Sequence, residues 1–140
     1  MPALTAAVRV KWDAAHRAQL LAVNAQVNRV EYVTDQAQYN QAEYWQVSAR
    51  GDCEDKALAK EELLRLHGWP QGSLDIAICR VNGAGHAVLI VHTDKSDLVL
   101  DNNHDELRAW DDPEYDWIEV STGGLFLPGN WVKVSKNATV

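Results

Sequence analysis

The chain is short of the residues that mark disulfide-stabilised, zinc–thiolate and membrane-spanning proteins. Its 140 residues hold only two cysteines, and no paired CxxC motif is present. Two isolated cysteines do not form a disulfide framework in a chain of this length, and a zinc–thiolate site is not expected. No apolar run approaches the roughly 20 residues that a helix needs to span a bilayer.

Positive charge is also scarce. The chain has 13 Lys and Arg against 20 Asp and Glu, so its formal net charge is −7. Binding to a phosphate backbone needs clustered basic side chains, and because no such cluster is present, nucleic acids are not expected as partners. The first residues, MPALTAAVRVKWD, are too short and too polar for a signal peptide. We therefore expect either a cytoplasmic protein or one whose leader has been removed.

The rest of the composition is that of an ordinary globular domain. Hydrophobic residues make up 46% of the chain and charged residues 24%, which is normal for a protein with one packed core. A chain of this length buries such a core without disulfides. Neither an internal repeat nor a low-complexity tract is present. We expect a single domain over residues 1–140.

Two helices are predicted in the first half of the chain. The first covers residues 13–33, with Asp13 as its N-cap. Its apolar stripe recurs at steps of four and three, and comprises His16, Leu20, Val23, Val27 and Val30. The second covers residues 53–67, is capped by Asp52 and ends before Gly68. The polar stretch between the two helices is predicted to be a loop.

The second half of the chain predicts strands. Alternating or β-rich segments are LDIAICRV, HAVLIVHT, LVLDN, YDWIEVS and NWVKVS, at residues 74–81, 86–93, 98–102, 115–121 and 130–135. Asn82-Gly83 and the segment DKSD at 94–97 supply the turns between the first three strands. Helices followed by strands indicate an α+β domain, with N-terminal helices packed on an antiparallel β-sheet.

Cys53 is the first candidate for chemistry. It lies in the segment GDCED at the predicted start of the second helix, where unpaired backbone N–H groups and the helix dipole stabilise a thiolate. Its own N–H is a natural oxyanion donor in that position. Asp52, Glu54 and Asp55 act in the opposite sense, because three carboxylates make the thiolate harder to form. The structural alternative is a small buried residue. Cys79, within an alternating strand, is expected to be a core residue.

A cysteine nucleophile needs a base, and His86 is the strongest candidate among five histidines. It follows Gly83-Ala84-Gly85 and opens an apolar strand, so the space near the imidazole is open while the strand holds the residue in place. Of the other four histidines, we expect His16 to be half-buried on the first helix and His67 to lie in the last turn of the second. His92 and His104 are expected to be solvated beside turns.

The base in turn needs an acceptor for its second nitrogen, and Asp101 closes the strand that follows His86. A hairpin centred between residues 93 and 94 would make the two direct cross-strand neighbours. A tight hairpin about the turn signal at 94–97 would instead place Asp101 four residues away, about 13 Å along a strand. In that second case the orienting residue is Asn103 or Asp105.

This order of cysteine, histidine and aspartate resembles that of papain-like and transglutaminase-like cysteine enzymes. The segments GDCEDKALAK, GHAVLIV and LVLDN are similar to the bacterial transglutaminase-like cysteine peptidase family. The segment VNAQVNRVEYVTDQAQYNQAEYW resembles the region that precedes the nucleophile in that family. The resemblance covers roughly residues 20–120.

The resemblance implies a papain-like or transglutaminase-like fold with a catalytic triad of Cys53, His86 and Asp101. It also implies a calcium ion held by Asp52 and Glu54, and by Asp55. A bound divalent cation would be the largest local charge beside the thiol. The acids of GDCED would then make catalysis conditional on calcium instead of opposing it.

The resemblance further implies a cysteine endopeptidase that acts in the periplasm. Such peptidases cut large surface adhesins near the N-terminus, at an Ala-Ala pair, and so release cells from biofilms. A membrane receptor for a cyclic dinucleotide sequesters and controls them. Two alternatives remain open at this point. The triad can act as an acyl transferase or amidase that passes the acyl group to an amine, or the domain can be a non-catalytic calcium-binding interaction module.

Overall fold

The structure is a computed structural model that describes residues 8–29, 42–121 and 131–133, with side chains described for 8–29 and 53–121. Two helices, α1 (Ala14–Asn28) and α2 (Ala42–Leu66), come first, and a short 3-10 helix (Gln71–Ser73) follows them. Six strands complete the order: β1 (Leu74–Val81), β2 (Ala84–His92), β3 (Asp97–Leu100), β4 (Arg108–Ala109), β5 (Asp116–Ser121) and β6 (Trp131–Lys133).

The six strands form one sheet in the order β4-β3-β2-β1-β5-β6, and every neighbouring pair is antiparallel. The predicted α+β class, with N-terminal helices on an antiparallel sheet, is therefore confirmed. The two-residue strand β4 lies in a segment where no strand was predicted. Within the described residues, neither helix has the length and hydropathy that a membrane crossing requires.

Helix α1 begins where its sequence predicts. The Asp13 side chain accepts a hydrogen bond from the backbone N–H of His16 at 2.8 Å, which satisfies one of the free donors at the helix start. Three residues of the predicted stripe are buried: Leu20, Val23 and Val27. The helix ends at Asn28, and residues 30–33 of the predicted helix lie outside the described residues.

Helix α2 begins eleven residues earlier than predicted, at Ala42, so the prediction of a loop is wrong over residues 42–51. The sequence AEYWQVSAR is rich in residues that favour helices, and a glycine within a helix costs only about 1 kcal/mol. Gly51 and Asp52 therefore do not interrupt the helix, although they have the composition of a helix start. The remaining residues of the predicted loop lie outside the described residues.

The end of α2 follows the prediction. Gly68 has a φ of +96°, a left-handed conformation that favours glycine. The N–H of Trp69 donates to the carbonyl of Leu64, and the N–H of Gly68 to that of Arg65, both at 3.0 Å. These two bonds are the pattern of a Schellman cap, which satisfies carbonyls at the helix end and turns the chain toward β1.

The first hairpin brings Cys79 and His86 opposite each other. Strand β1 has the bounds that its alternating sequence predicts. Asn82 and Gly83 both have positive φ, 52° and 81°, as a two-residue type I′ turn requires. The register pairs Val81 with Ala84 and, two steps further, Cys79 with His86.

The sheet is buried on both faces within the described residues. On the face toward the helices, a core cluster includes Leu20, Val27, Leu64, Ile76, Leu89 and Leu100. On the opposite face, a second cluster includes Cys79, Val88, Val99, Tyr115 and Trp117. Because successive strand residues alternate between the two faces, β1 and β2 contribute to both clusters. The helices therefore hold the sheet from one side only.

Leu64 and Leu66 provide a test of the helix face that packs on the sheet. Leu64 is fully buried, whereas Leu66 is 77% exposed. We expect Leu64→Ala to lower the free energy of unfolding by about 2–5 kcal/mol, because it removes buried methyl groups and leaves a cavity. Leu66→Ala should change it by less than about 0.5 kcal/mol. Urea unfolding followed by circular dichroism measures both, and equal losses would contradict this orientation of α2.

Candidate active site

The β2–β3 hairpin places Asp101 diagonally across from His86. The two strands pair Leu89 with Leu100 and His92 with Asp97, which leaves residues 93–96 as the loop. Extending that register by one step sets Asp101 opposite position 88, two residues from His86 on the same face. Diagonal neighbours of this kind are within reach of longer side chains. The hairpin is thus centred between residues 94 and 95, midway between the two predicted registers.

Asp101 is the hydrogen-bond partner of His86. The imidazole Nε2 lies 2.7 Å from Asp101 Oδ1. His86 is 8% exposed and Asp101 is fully buried. The alternative orienting residues make other contacts: Asn103 donates its backbone N–H to Asp101, and the carboxylate of Asp105 accepts from Asn28. Of the candidates that the sequence offered, the structure brings Asp101 to the histidine.

Cys53 completes the group from the helix side. Its Sγ accepts a hydrogen bond from the backbone N–H of Ala87 at 3.3 Å, and its side chain interacts with the imidazole of His86, which raises the pKa of the histidine. Because Nε2 of the imidazole faces Asp101, Nδ1 is the nitrogen left for the thiol. The structure thus brings Cys53, His86 and Asp101 together in the order that a cysteine nucleophile, its base and an orienting acceptor require.

The position of Cys53 within α2 corrects one part of the sequence interpretation. The helix starts at Ala42, so the backbone N–H of Cys53 lies inside it, where N–H groups donate to the carbonyl four residues earlier. This N–H is not a free oxyanion donor, and the helix start does not stabilise the thiolate. In this structure the stabilising groups beside the sulfur are the imidazole of His86 and the N–H of Ala87.

The electrostatics of the group favour a protonated imidazole. Burial alone would lower the pKa of His86, but hydrogen bonds to Asp101 and Cys53 and the charges of both raise it to about 9. Burial would likewise raise the pKa of Asp101, yet the donors His86, Tyr115 and the Asn103 N–H hold it at about 2. At neutral pH the pair is therefore an imidazolium and a carboxylate.

Cys79 has the properties of the core residue that was predicted. It is fully buried, and both cysteines are free. Burial, together with the nearby negative charge of Asp101, raises the pKa of the Cys79 thiol to about 12. A thiol in this state is a poor nucleophile at neutral pH. Cys53 is the cysteine that the site can use.

Two side chains of α1 fix the loop that carries Asp101. Asn24 is fully buried and donates from Nδ2 to the backbone carbonyls of His104 and Asp105, at 2.8 and 3.1 Å. Asn28 donates to the carbonyl of Asp101 at 3.1 Å. The backbone of this loop thus takes its hydrogen bonds from a neighbouring helix, which defines the direction in which the Asp101 side chain points.

Sequence reasoning missed two residues beside Asp101. Tyr115 donates its hydroxyl to Asp101 Oδ2 at 2.6 Å and is 1% exposed. Lys60 is also 1% exposed, and burial lowers its pKa to about 7 although the charge of Asp101 opposes that shift. Only the spacing of Lys60, seven residues or two helical turns after Cys53, could have placed it on the same side of α2. The position of Tyr115 at the start of an alternating strand carries no such signal.

His92 was predicted to be solvated beside a turn, and that prediction is wrong. It is fully buried, with Nδ1 and Nε2 each 2.7 Å from a carboxylate, of Asp97 and of Asp75 respectively. Burial lowers its pKa, but the two aspartates outweigh that effect and raise it. Arg9 also contacts Asp97, at 3.0 Å. Since both ring nitrogens of His92 are bonded to carboxylates, neither is available to a nucleophile.

The predicted metal ligands are only partly within the described side chains. The side chain of Asp52 lies outside them, Glu54 is half-buried and Asp55 is exposed. Calcium binds six to eight oxygen atoms in all, and the carboxylates of these residues supply some of them. On a continuous helix, residues 52 and 55 share a face while residue 54 points elsewhere. The donor chemistry therefore fits calcium, and further oxygens from outside this turn are needed to complete a site.

A different group of side chains has metal-ligand spacing among the described residues. Asp101, His104 and Glu114 place one ligand atom each within 4.8 Å of one another. Both oxygens of Asp101 already accept from His86 and Tyr115, and Glu114 contacts His104 and Arg108. A histidine nitrogen is also a poor ligand for calcium, which binds oxygen. This group does not fit the predicted calcium ion.

Comparison with solved structures shows a shared fold. Calcium-bound LapG from Legionella pneumophila superposes with a TM-score of 0.63 at 23% identity, over 89% of this chain and 71% of LapG. A second LapG structure gives 0.59 at 20% identity, over 92% and 75% of the two chains. EGTA-treated LapG gives 0.60 at 20% identity, over 91% and 71%. At these identities the likeness concerns the fold alone, and it agrees with the predicted α+β class.

Comparison at the level of sequence families gives the identity. No curated protein matches the sequence. The family model of bacterial transglutaminase-like cysteine proteinases, in contrast, matches residues 3–139. Because that match covers nearly the whole chain, this protein belongs to the bacterial transglutaminase-like cysteine proteinases and is a cysteine peptidase.

Proposed function

We propose that Cys53 is the nucleophile of this peptidase, that His86 is its base and acid, and that Asp101 orients and charges the imidazole. One observation carries the proposal: His86 Nε2 lies 2.7 Å from Asp101, while the thiol of Cys53 interacts with the same imidazole and raises its pKa. His92 offers a matched contrast, because its two nitrogens are both bonded to carboxylates. Of these two imidazoles, His86 is therefore the one that has a nitrogen for a nucleophile.

The chemistry that follows is acyl transfer to water. In the resting site the proton of Cys53 already lies on Nδ1 of His86, and the thiolate of this ion pair attacks the carbonyl carbon of the scissile peptide bond. The C–N bond breaks as the imidazolium returns a proton to the leaving amine, which leaves a thioester on Cys53. A water molecule, deprotonated by His86, then attacks the thioester and releases the carboxylate product and the thiol. Asp101 keeps the imidazole in one tautomer throughout.

In this proposal the thiolate is stabilised by the imidazolium of His86 and not by a helix start. The raised pKa of His86, about 9, keeps the imidazole protonated at neutral pH beside the sulfur. The N–H of Ala87, which points at the sulfur, adds a hydrogen-bond donor that survives loss of the histidine. Together they offset the carboxylates of GDCED, which disfavour negative charge on Cys53.

We also propose that calcium binds beside the nucleophile through the acids of GDCED: Asp52, Glu54 and Asp55. What supports this is the oxygen chemistry of the three side chains, and the calcium-bound and EGTA-treated forms of LapG among the similar structures. Calcium at these residues would supply positive charge next to Cys53. The remaining oxygen ligands would come from backbone carbonyls or water.

The substrate and location are proposed from the resemblance of the sequence segments. We propose a large surface adhesin cut at an Ala-Ala pair, an action in the periplasm that controls biofilm attachment, and a membrane receptor that sequesters the enzyme. Small residues on both sides of the scissile bond suit a site whose nucleophile is 4% exposed. The hydrolytic reaction is favoured over acyl transfer to amines by the family of cysteine proteinases to which the chain belongs.

Alkylation of Cys53 tests the catalytic group. We expect iodoacetamide to label Cys53 at acidic pH, because the imidazolium of His86 stabilises the thiolate there, while Cys79 stays unlabelled in the folded protein. His86→Ala should lower the low-pH labelling rate about 100-fold. His67→Ala, which removes an exposed histidine, is the matched control and should leave the rate unchanged. Peptide mapping by mass spectrometry measures each rate, and equal labelling of Cys53 in all three proteins would remove His86 from the mechanism.

Peptide cleavage tests the reaction and its pH dependence. We expect a peptide with a central Ala-Ala pair to be cut between the two alanines, and a peptide with Asp at either position to remain intact. The value of kcat/KM should fall as pH rises through about 9, because His86 then loses the proton that the leaving amine needs. Mass spectrometry with an added primary amine separates the two reactions. Amine incorporation faster than hydrolysis would contradict the peptidase mechanism.

Calcium is tested by thermal unfolding with and without EGTA. We expect the Tm to rise with calcium concentration, by an amount that corresponds to about 1.4 kcal/mol for each tenfold increase above the Kd. The Asp52→Asn, Glu54→Gln double variant should lose this response. Glu62→Gln, which changes an exposed acid on the same helix, should retain it. The same Tm at millimolar calcium and in EGTA would show that the folded protein has no such site.

A further inference from the structure

The hydroxyl of Tyr115 lies behind the catalytic group, against the oxygen of Asp101 that does not face His86. It donates to Asp101 Oδ2 at 2.6 Å, and the tyrosine is 1% exposed. Its ring stacks on Trp117, with centroids 5.1 Å apart and an interplanar angle of 28°. Tyr115 precedes β5, so the ring is held both by the sheet and by the second core cluster. The hydroxyl therefore has a fixed position.

Both carboxylate oxygens of Asp101 accept hydrogen bonds, each from different donors. Oδ1 accepts from His86 Nε2 at 2.7 Å and from the Asn103 N–H at 2.9 Å, and Oδ2 accepts from Tyr115. A carboxylate with donors on both oxygens cannot rotate about its last bond without breaking several hydrogen bonds at once. Tyr115 supplies the donor on the second oxygen. Without it, a buried anionic oxygen would lose its hydrogen-bond partner while remaining shielded from water.

A competing partner for that oxygen is close at hand. A ring nitrogen of His104 lies within 4.8 Å of an Asp101 oxygen, and His104 also contacts Glu114 at 3.0 Å. If Tyr115 did not occupy Oδ2, rotation of the carboxylate toward His104 would recover a hydrogen bond there. The same rotation would weaken the bond to His86. The hydroxyl of Tyr115 occupies Oδ2 while Oδ1 faces His86, and so opposes such a rotation.

We propose that Tyr115 is a positioning residue for the peptidase reaction, which acts by holding Asp101 in the orientation that serves His86. The inference rests on the triad proposed above. Tyr115 is buried behind the carboxylate, so its effect reaches the reacting atoms only through Asp101. Burial, reinforced by the negative charge of Asp101, raises the pKa of the tyrosine, and the hydroxyl stays a donor over the working pH range.

Tyr115→Phe tests the proposal, because it removes the hydroxyl and keeps the ring on Trp117. We expect kcat for peptide cleavage to fall about 10–100-fold while KM stays within about twofold, as for other residues that orient a catalytic partner. Ser121→Ala is the matched control. It also removes one buried hydroxyl. That hydroxyl belongs to the last residue of β5 and accepts from the Ile76 N–H at 2.9 Å, away from Asp101. It should leave kcat unchanged.

A double-mutant cycle separates positioning from a general structural role. In an Asp101→Ala background, Tyr115→Phe should change kcat by less than about twofold, since the residue through which it acts is absent. Equal fold losses in both backgrounds would overturn the proposal. Thermal unfolding of every variant shows whether each is folded at the assay temperature.

Two measurements need no substrate and so distinguish this proposal from the proposed function. They are the low-pH alkylation rate of Cys53 and the NMR titration of the His86 imidazole, and we expect Tyr115→Phe to lower the first and shift the second. If these changes occur in a protein that cleaves no peptide, Tyr115 still positions Asp101 against His86, and it is the proposed peptidase reaction that fails. If the wild type cleaves peptides and Tyr115→Phe behaves like Ser121→Ala, the positioning role fails alone.

A second variant keeps the test decisive if Tyr115→Phe does not fold. Site-specific 3-fluorotyrosine at position 115 keeps the ring and makes the hydroxyl a stronger donor. A stronger donor withdraws charge from Asp101, so the pKa of His86 should fall below that of the wild type. An unchanged titration of His86 in this variant would overturn the proposal.

Discussion

The hydrogen bond between His86 and Asp101 is the constraint on which the rest of the site depends. It joins two strands at the point where their ladder has ended, and its geometry follows from a four-residue loop that sets the register. Because Asp101 is fully buried, its charge acts on the imidazole with little screening by water. In the proposed mechanism, the protonated histidine is the group that stabilises a thiolate beside the acids of GDCED.

Much of this arrangement could be predicted, because it is encoded locally. The Asn82-Gly83 turn fixes the β1–β2 register, and with it the position of His86 on the sheet. The start of α2 could not be predicted, since Gly51-Asp52 has the composition of a helix start and the helix passes through it. The burial of His92 depends on aspartates 17 and 5 residues away, which meet it only in the folded sheet. Tyr115 was missed for the same reason.

The helices and the sheet divide the work of building the site. Helix α2 brings the sulfur of Cys53, and the β2–β3 hairpin brings the imidazole of His86 and the carboxylate of Asp101. Helix α1 supplies none of these groups, yet Asn28 donates to the carbonyl of Asp101 and Asn24 to those of the following loop. The orientation of the acceptor is therefore a property of the whole packed domain. A change in the packing of α1 would therefore act directly on the backbone that carries Asp101.

The two histidines of β2 lie on the same sheet face but differ in the number of aspartates that they contact. His86 and His92 are six residues, or about 20 Å, apart on the same face, and each is bonded to aspartate. Both ring nitrogens of His92 are hydrogen-bonded to aspartates, so mutation of His92 is expected to lower the free energy of unfolding. His86 uses only Nε2 for its aspartate, so in the proposed mechanism Nδ1 is left for the thiol. In the proposed mechanism, a second acid bonded to His86 would occupy the nitrogen that Cys53 needs, as both nitrogens of His92 are already occupied.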